Sequence, residues 1–119
     1  MAELAGKFAE FLIYLRYLSR GFRLLYWRHR TPFGEIDLVM RKSGHIRFIE
    51  VKYRRRHHSA DSPVTPAQMA RLQRAAQMTY HNLSPDGRAS CQFDVLLVRW
   101  PYHCDLYENH IDMSQSGRG

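Results

Sequence analysis

The segment from Gly34 to Tyr53 constrains the fold more than any other part of the sequence, because it predicts two strands joined by a tight turn. Its halves, GEIDLVM and IRFIEVKY, alternate in the manner of half-buried strands, and Ser43-Gly44 between them has turn chemistry. A two-residue turn pairs Lys42 with His45, and a four-residue loop keeps the same register. The sequence therefore predicts an antiparallel hairpin whose register does not depend on which of these two loops forms.

That register places Asp37 across from Glu50, and Lys52 lies two residues further along on the same face. Cross-strand partners have Cβ atoms about 5 Å apart, so the three side chains are expected to converge on one patch. Two facing carboxylates repel each other unless a cation or a proton relieves the repulsion. A divalent metal with oxygen ligands would relieve it, with Lys52 holding a phosphate or a water. The alternative is an ordinary ion pair between Lys52 and one acid on a solvated sheet face.

Asp37 followed by Glu50-Val51-Lys52 on neighbouring strands resembles the PD-(D/E)XK nuclease motif. The longer string GEIDLV…FIEVKYR is similar to that of the YraN family of small bacterial proteins, which are relatives of Holliday-junction resolvases. The resemblance covers nearly the whole chain, and the other positions that carry it are Gly6, Glu10, Gly21, Thr65-Pro66, Phe93-Asp94-Val95 and His110-Ile111. It implies a restriction-endonuclease-like α/β sandwich, with a mixed central sheet of four to five strands flanked by two helices.

The same resemblance implies a metal-dependent endonuclease acting on DNA, including branched or otherwise structured DNA. Asp37 and Glu50 would bind Mg²⁺ or Mn²⁺, with the Val51 carbonyl as a further ligand. Lys52 would orient the attacking water or stabilise the charge that develops on phosphorus, leaving 5′-phosphate and 3′-hydroxyl ends. Glu10 would orient water or bind a second metal, whereas helical spacing alone would make it a solvated glutamate. Resolvase kinship also implies a homodimer.

The charge of the chain favours a nucleic-acid partner. Its 119 residues include 18 Lys and Arg against 11 Asp and Glu, a formal net charge of +7, and polyanions are the usual partners of such proteins. A ribosome-associated or membrane-surface protein could carry the same charge. The run Arg54-Arg55-Arg56 adjoins the predicted site, where arginines would contact a phosphate backbone, and a solvated charge run is the alternative.

Cysteine usage and hydropathy predict a cytoplasmic protein that does not enter a membrane. Cys91 and Cys104 lack CxxC spacing, are too few for a disulfide framework, and are expected to be reduced thiols. The apolar run FLIYLRYL is interrupted by Arg16 and is too short to span a bilayer. No secretory signal is evident at the start of the sequence.

The remaining elements follow from periodicity and capping signals. Residues 3–19 predict a helix whose buried stripe contains Leu4, Phe8, Phe11, Leu12, Leu15 and Leu18. Strands are predicted at 22–30 and 91–100, with a short edge strand at 106–111. A second helix begins at Thr65-Pro66, where Gln68 completes a capping box. We expect one domain over residues 1–112 and a mobile tail over 113–119, with Asp94 satisfying backbone groups or capping an element rather than binding metal.

Two other functions remain open. A nucleic-acid-binding domain that retains the nuclease fold without catalysis would bind DNA in a salt-dependent manner, indifferent to Mg²⁺. A protein-interaction domain with incidental charge would show no nucleic-acid affinity beyond that of a generic cation. The two acids and one lysine predicted to converge within a basic chain favour the enzyme over both.

Overall fold

The computed structural model describes residues 2–54, 64–99, 103–108 and 113, with side chains from residue 6 onwards. The described elements follow the predicted order of helix, three strands, helix and two strands. They are α1 (Ala2–Ser19), β1 (Arg23–Thr31), β2 (Gly34–Lys42), β3 (His45–Arg54), α2 (Pro66–Leu83), β4 (Ser90–Arg99) and β5 (His103–Tyr107). The α/β class and the count of strands and helices expected for a restriction-endonuclease-like sandwich are confirmed.

The five strands form one mixed sheet in the order β1-β2-β3-β4-β5. All neighbouring strands are antiparallel except β3 and β4, which are parallel and are connected through α2, as a helical crossover requires. The predicted edge strand is present, but it begins at His103 rather than Leu106 because His103 already pairs with Arg99 of β4.

The predicted hairpin register is confirmed. Lys42 pairs with His45 across a two-residue turn, and the ladder continues in step to Leu38 and Ile49. Ser43 in the turn adopts a φ of 53°, a left-handed conformation that tight hairpin turns require. Glu50 and Asp37 are the next residues after the last pair of this ladder.

Each face of the sheet buries one core, because inward side chains alternate along the strands and each face carries one helix. We call these the α1-side core and the α2-side core. The α1-side core is built from Ala9, Ile13, Tyr17, Phe22, Leu38, Met40, Ile49, Leu96 and Val98. The α2-side core is built from Ile36, Val39, Ile46, Phe48, Val64, Leu72, Ala75, Ala76, Phe93, Val95 and Met113.

The orientation predicted for α1 is wrong. The helix faces the sheet with Ala9, Ile13 and Tyr17, whereas most of the stripe predicted to be buried is exposed: Phe8 47%, Phe11 46%, Leu15 43% and Leu18 38%. Apolar residues occupy both sides of this helix, so periodicity alone does not select the buried side. Packing selects it, because the small Ala9 allows close approach to the sheet and the Tyr17 hydroxyl donates to buried Asp94 at 2.7 Å.

The predicted start of α2 is confirmed in detail. The Thr65 hydroxyl accepts from the Gln68 N–H, the Gln68 side chain accepts from the Thr65 N–H, and Pro66 occupies the first turn. This reciprocal capping satisfies two N–H groups that have no partner within the helix. Helix α2 therefore begins at a fixed point beside the last residues of β3.

Some predictions fall at or beyond the limits of the described residues. Met113, assigned from the sequence to a mobile tail, is buried in the α2-side core because its apolar side chain contributes to that packing. Residues 114–119 lie outside the described residues, as do Arg55 and Arg56. Both cysteines are free thiols. Within the described residues, neither helix is long and apolar enough to cross a membrane.

Candidate metal centre and adjoining cleft

The predicted site lies where β2 and β3 separate. Their ladder ends at the pair of Leu38 and Ile49. Beyond this pair, a side-chain oxygen of Asp37 accepts a hydrogen bond from the main chain of β3. Its Oδ2 atom accepts the N–H of Val51 at 2.7 Å. The N–H and C=O of a strand residue point to the same side, so the Val51 carbonyl is also directed toward β2.

The regular alternation of β2 breaks at Asp37. Ile36 belongs to the α2-side core and Leu38 to the α1-side core, although residues two apart share a face in a regular strand. Opposite Asp37 on β1, Arg28 has a φ of 54°, which is rare for a residue other than glycine. A strained backbone and an irregular strand therefore coincide at the candidate site, as is common at functional positions.

Asp37 and Glu50 form a buried pair of acids. Glu50 is 8% exposed, and its charge acts on the neighbouring carboxyl group of Asp37. Burial and the neighbouring Glu50 charge raise the pKa of Asp37 from 3.8 to about 8. Burial also raises the pKa of Glu50, and Lys52 opposes that rise. The pair therefore retains a proton near neutral pH unless a cation replaces it.

Lys52 completes the predicted triad. Its Nζ atom lies 3.3 Å from Oε2 of Glu50, and both side chains are largely buried. Oε1 of Glu50 is buried without a hydrogen-bond partner among the described residues. A buried carboxylate oxygen in that position costs free energy unless a donor or a cation reaches it. The three residues predicted from the hairpin register are thus brought together.

The donor set fits a hard divalent cation with few protein ligands. Asp37 and Glu50 offer carboxylate oxygens and Val51 a carbonyl oxygen, while the described residues contain no group of three or more His, Cys, Asp or Glu side chains placed to hold one ion. Mg²⁺ suits such a site, because it is commonly bound through one or two carboxylates and retains several waters. Zn²⁺ sites in proteins need more nitrogen or sulfur ligands than this one offers.

Glu10 lies near the pair but belongs to a separate contact. Its Oε1 accepts from Nε of Arg28 at 3.2 Å. Burial is the main cause that raises the pKa of Glu10. The Asp37 charge raises this pKa further, and Arg28 lowers it. The orientation of α1 explains this placement. Because the helix faces the sheet with Ala9 and Ile13, Glu10 is also directed toward Asp37. The sequence did not predict this contact between Arg28 and Glu10.

A cleft of about 180 Å³ opens beside Glu50 and Lys52. Its other walls come from the β1–β2 turn and from the first turns of α2, and they consist of Phe33, Gly34, Glu35, Gln68, Arg71 and Leu72. Sequence analysis gave Gln68 only a capping role and did not identify Arg71 as a site residue. The i, i+3 spacing of these two residues is the signal that could have placed both on one wall.

Asp94 has a structural role, as expected, and its partners include three side chains. It is fully buried and accepts from the Tyr17 hydroxyl, from Arg47 at 2.7 Å and from Gln92 at 2.9 Å. Three donors compensate the burial of its charge. This network fastens α1 to the sheet on the face opposite to Lys52.

The predicted basic segment is described only in part. Arg54 is half-buried at the end of β3 and donates to the Tyr53 carbonyl at 3.0 Å. Arg55 and Arg56 lie outside the described residues. Their contact with nucleic acid therefore stays a prediction.

Comparisons with known proteins give a consistent family. A sequence model of the uncharacterised protein family UPF0102 matches residues 9–98. A UPF0102 protein of Brucella canis is 36% identical over 110 residues, covering 90% of this chain and 87% of that protein. Another from Maricaulis maris is 39% identical over 105 residues, covering 86% of this chain and 83% of that protein.

One similar solved structure is Pyrococcus furiosus SfsA in complex with Ca²⁺. It aligns with a TM-score of 0.45 at 14% identity, covering 90% of this chain and 63% of that chain.

Proposed function

The chain belongs to the uncharacterised protein family UPF0102, and from its site we propose that it is a metal-dependent endonuclease that hydrolyses DNA phosphodiester bonds. This membership confirms the resemblance to the YraN family that the sequence predicted. The family description names no activity, so the proposal depends on the site itself. DNA as substrate and Mg²⁺ or Mn²⁺ as cofactor are parts of this proposal.

The observation that carries the proposal is the buried pair of Asp37 and Glu50 beside Lys52. Neither a structural nor a simple binding role explains two acids with raised pKa values buried side by side, because each makes the other harder to ionise. The unpartnered Oε1 of Glu50 adds a second cost that a cation would remove. Perturbed acids of this kind, lying beside a cleft, are typical of functional sites.

A divalent ion held by Asp37 and Glu50 would supply Lewis acidity and activate water. Asp37 is positioned for this role by its hydrogen bond from Val51, which fixes the direction of its carboxylate. Lys52, which lines the cleft, would contact a phosphoryl oxygen and stabilise the negative charge that develops there. Glu10, whose pKa is raised by burial and whose carboxylate is held by Arg28, would accept a proton from water.

The direct test is cleavage of branched, duplex and single-stranded DNA in Mg²⁺, in Mn²⁺ and in EDTA. We expect cleavage only with metal, and a loss of at least about 100-fold in Asp37→Asn and in Lys52→Ala. Asp86→Asn and Lys7→Ala are the matched controls, since both residues are exposed and are not part of the site. Cleavage that survives in Asp37→Asn would not come from this site.

Thermal unfolding provides a readout that does not require turnover. Mg²⁺ at about 100 times its dissociation constant should stabilise the wild-type protein by about 2.7 kcal/mol, because it binds only the folded state. Glu50→Gln should not respond, whereas Asp86→Asn should respond like the wild type. DNA binding with neither cleavage nor stabilisation by metal would favour the non-catalytic binding domain instead.

A further inference from the structure

The cleft extends beyond the residues that the proposed chemistry uses. Glu50 and Lys52 of β3 line it, and so do Phe33 and Arg71, which come from different elements, the β1–β2 turn and α2. Its volume of about 180 Å³ is below the roughly 300 Å³ at which pockets for free small molecules begin. Such a cleft suits one unit of a chain that continues outside it.

Phe33 is held at the cleft by a rigid turn although its side chain is 41% exposed. The Thr31 hydroxyl accepts the N–H groups of Phe33 and Gly34 at 3.1 and 3.2 Å and donates to the Gly34 carbonyl at 2.8 Å. Gly34 has a φ of 147°, a conformation that other residues rarely adopt. The Thr31 hydroxyl therefore uses its one donor and both of its acceptor positions within this turn.

Arg71 supplies a cation on the facing wall. It is exposed on α2, three residues after the capping residue Gln68, and forms no ion pair within the described part of the chain. Together with Lys52 it places two positive side chains along a cleft that the carboxylates of Glu35 and Glu50 also line. Cations lining a groove in this way track a phosphate backbone.

We propose that this cleft binds the nucleotide next to the scissile phosphate in an unpaired strand, with Phe33 stacking on its base and Arg71 contacting its phosphate. The inference rests on the proposed function and specifies its substrate as single-stranded DNA or the unpaired region of a branched DNA. In a duplex the faces of each base are covered by its neighbours, so an aromatic ring cannot stack on it without unstacking the helix. A stacking ring beside the site therefore selects bases that are already free.

The test measures binding in EDTA, where no cleavage takes place. A fluorescent oligodeoxynucleotide of mixed sequence is titrated as a single strand and as the matching blunt duplex. Phe33→Ala should weaken single-strand binding about 5- to 100-fold and leave duplex binding nearly unchanged. Phe33→Trp should retain the preference for the single strand, because a larger aromatic ring still stacks. Phe11→Ala is the matched control, since Phe11 is similarly exposed, at 46%, on α1.

Arg71→Ala tests the phosphate contact through the salt dependence of single-strand binding. Loss of one contact should reduce the slope of log K against log salt by about 0.7. Arg74→Ala on the same helix is the matched control, because Arg74 is exposed but does not line the cleft. Its slope should stay at the wild-type value.

Equal losses of single-strand and duplex binding in Phe33→Ala, or no loss at all, would overturn the inference. Failure of this inference and failure of the proposed function are distinguishable. Metal-dependent cleavage without strand preference would contradict only the inference, whereas strand-selective binding without any cleavage would contradict only the enzyme.

Discussion

At the scale of single residues, Asp37 combines a structural contact with a poorly solvated charge. Its carboxylate accepts the Val51 N–H where the strand ladder ends, yet burial and Glu50 raise its pKa to about 8. An asparagine would retain an oxygen acceptor for Val51 and remove the charge. The Asp37→Asn substitution can therefore separate the effect of the charge from that of the hydrogen bond to Val51.

We predict that the free energy of unfolding of the metal-free protein decreases as pH rises. The decrease should be smaller in the Asp37→Asn variant than in the wild type. The pKa of Asp37 in the folded state lies above its ordinary value of 3.8, so the unfolded chain releases its proton first. The free energy of unfolding then decreases between about pH 4 and pH 8. At the upper end Asp37→Asn should be more stable than the wild type by about 2 kcal/mol, or about 8 °C in Tm.

Thermal unfolding in EDTA across this pH range checks the prediction, with Asp86→Asn as the control that follows the wild type. A wild-type Tm that rises steadily toward pH 8 would contradict it. Excess Mg²⁺ should reverse the order of stability, because only the wild type gains a ligand.

The residues of the triad were predictable because their positions depend on local sequence. The Ser43-Gly44 turn fixes the register of the hairpin, and the register fixes which side chains meet. The pairs of Tyr17 with Asp94 and of Arg28 with Glu10 were not predictable in this way. They join residues that are 77 and 18 positions apart, and no periodicity in the sequence relates them.

At the scale of elements, the capping signals of α2 located its start, whereas hydrophobic periodicity failed to orient α1. The capping box is a contact between neighbours in sequence, so Thr65 and Gln68 specify it without help from the rest of the fold. The buried side of α1 depends on how closely Ala9 can approach the sheet and on a partner for Tyr17. These requirements belong to the sheet rather than to the helix.

Substitutions on the two sides of α1 should therefore have very different effects on the free energy of unfolding. Ile13→Ala removes a side chain that is 4% exposed and should lower the free energy of unfolding by about 2 to 4 kcal/mol. Leu15→Ala removes one that is 43% exposed and should change it by less than about 0.5 kcal/mol. Denaturant titration of both variants measures the difference, and the reverse order would contradict the observed orientation of α1.

At the scale of the whole molecule, the chain carries a formal charge of +7, whereas its candidate metal site is made of acids. The basic surface would attract a polyanion, and the acids would repel it unless a metal neutralises them. Charge and site together are thus consistent with a substrate whose phosphates approach a bound cation. The net charge was evident from the sequence, whereas the placement of Arg71 in the same cleft as Glu50 and Lys52 required the fold.

Binding to duplex DNA should weaken linearly in log K against log salt, since it depends on phosphate contacts. Arg54→Ala at the end of β3 should reduce the slope by about 0.9, as expected for one lost contact with duplex DNA. Arg88→Ala, an exposed arginine in the connection from α2 to β4, should leave the slope unchanged. Fluorescence anisotropy at several salt concentrations measures both slopes, and equal changes in the two variants would argue against a localised contact.

The two-residue link between Lys42 and His45 also limits how this protein can diverge. One residue inserted or deleted there would rotate the outgoing segment by half a turn, carrying Glu50 and Lys52 to the wrong side of the sheet. Insertions and deletions in related sequences should therefore be absent from this turn, although it lies about 17 Å from Glu50 along the extended chain. Point changes in the turn should be tolerated far better than changes in its length.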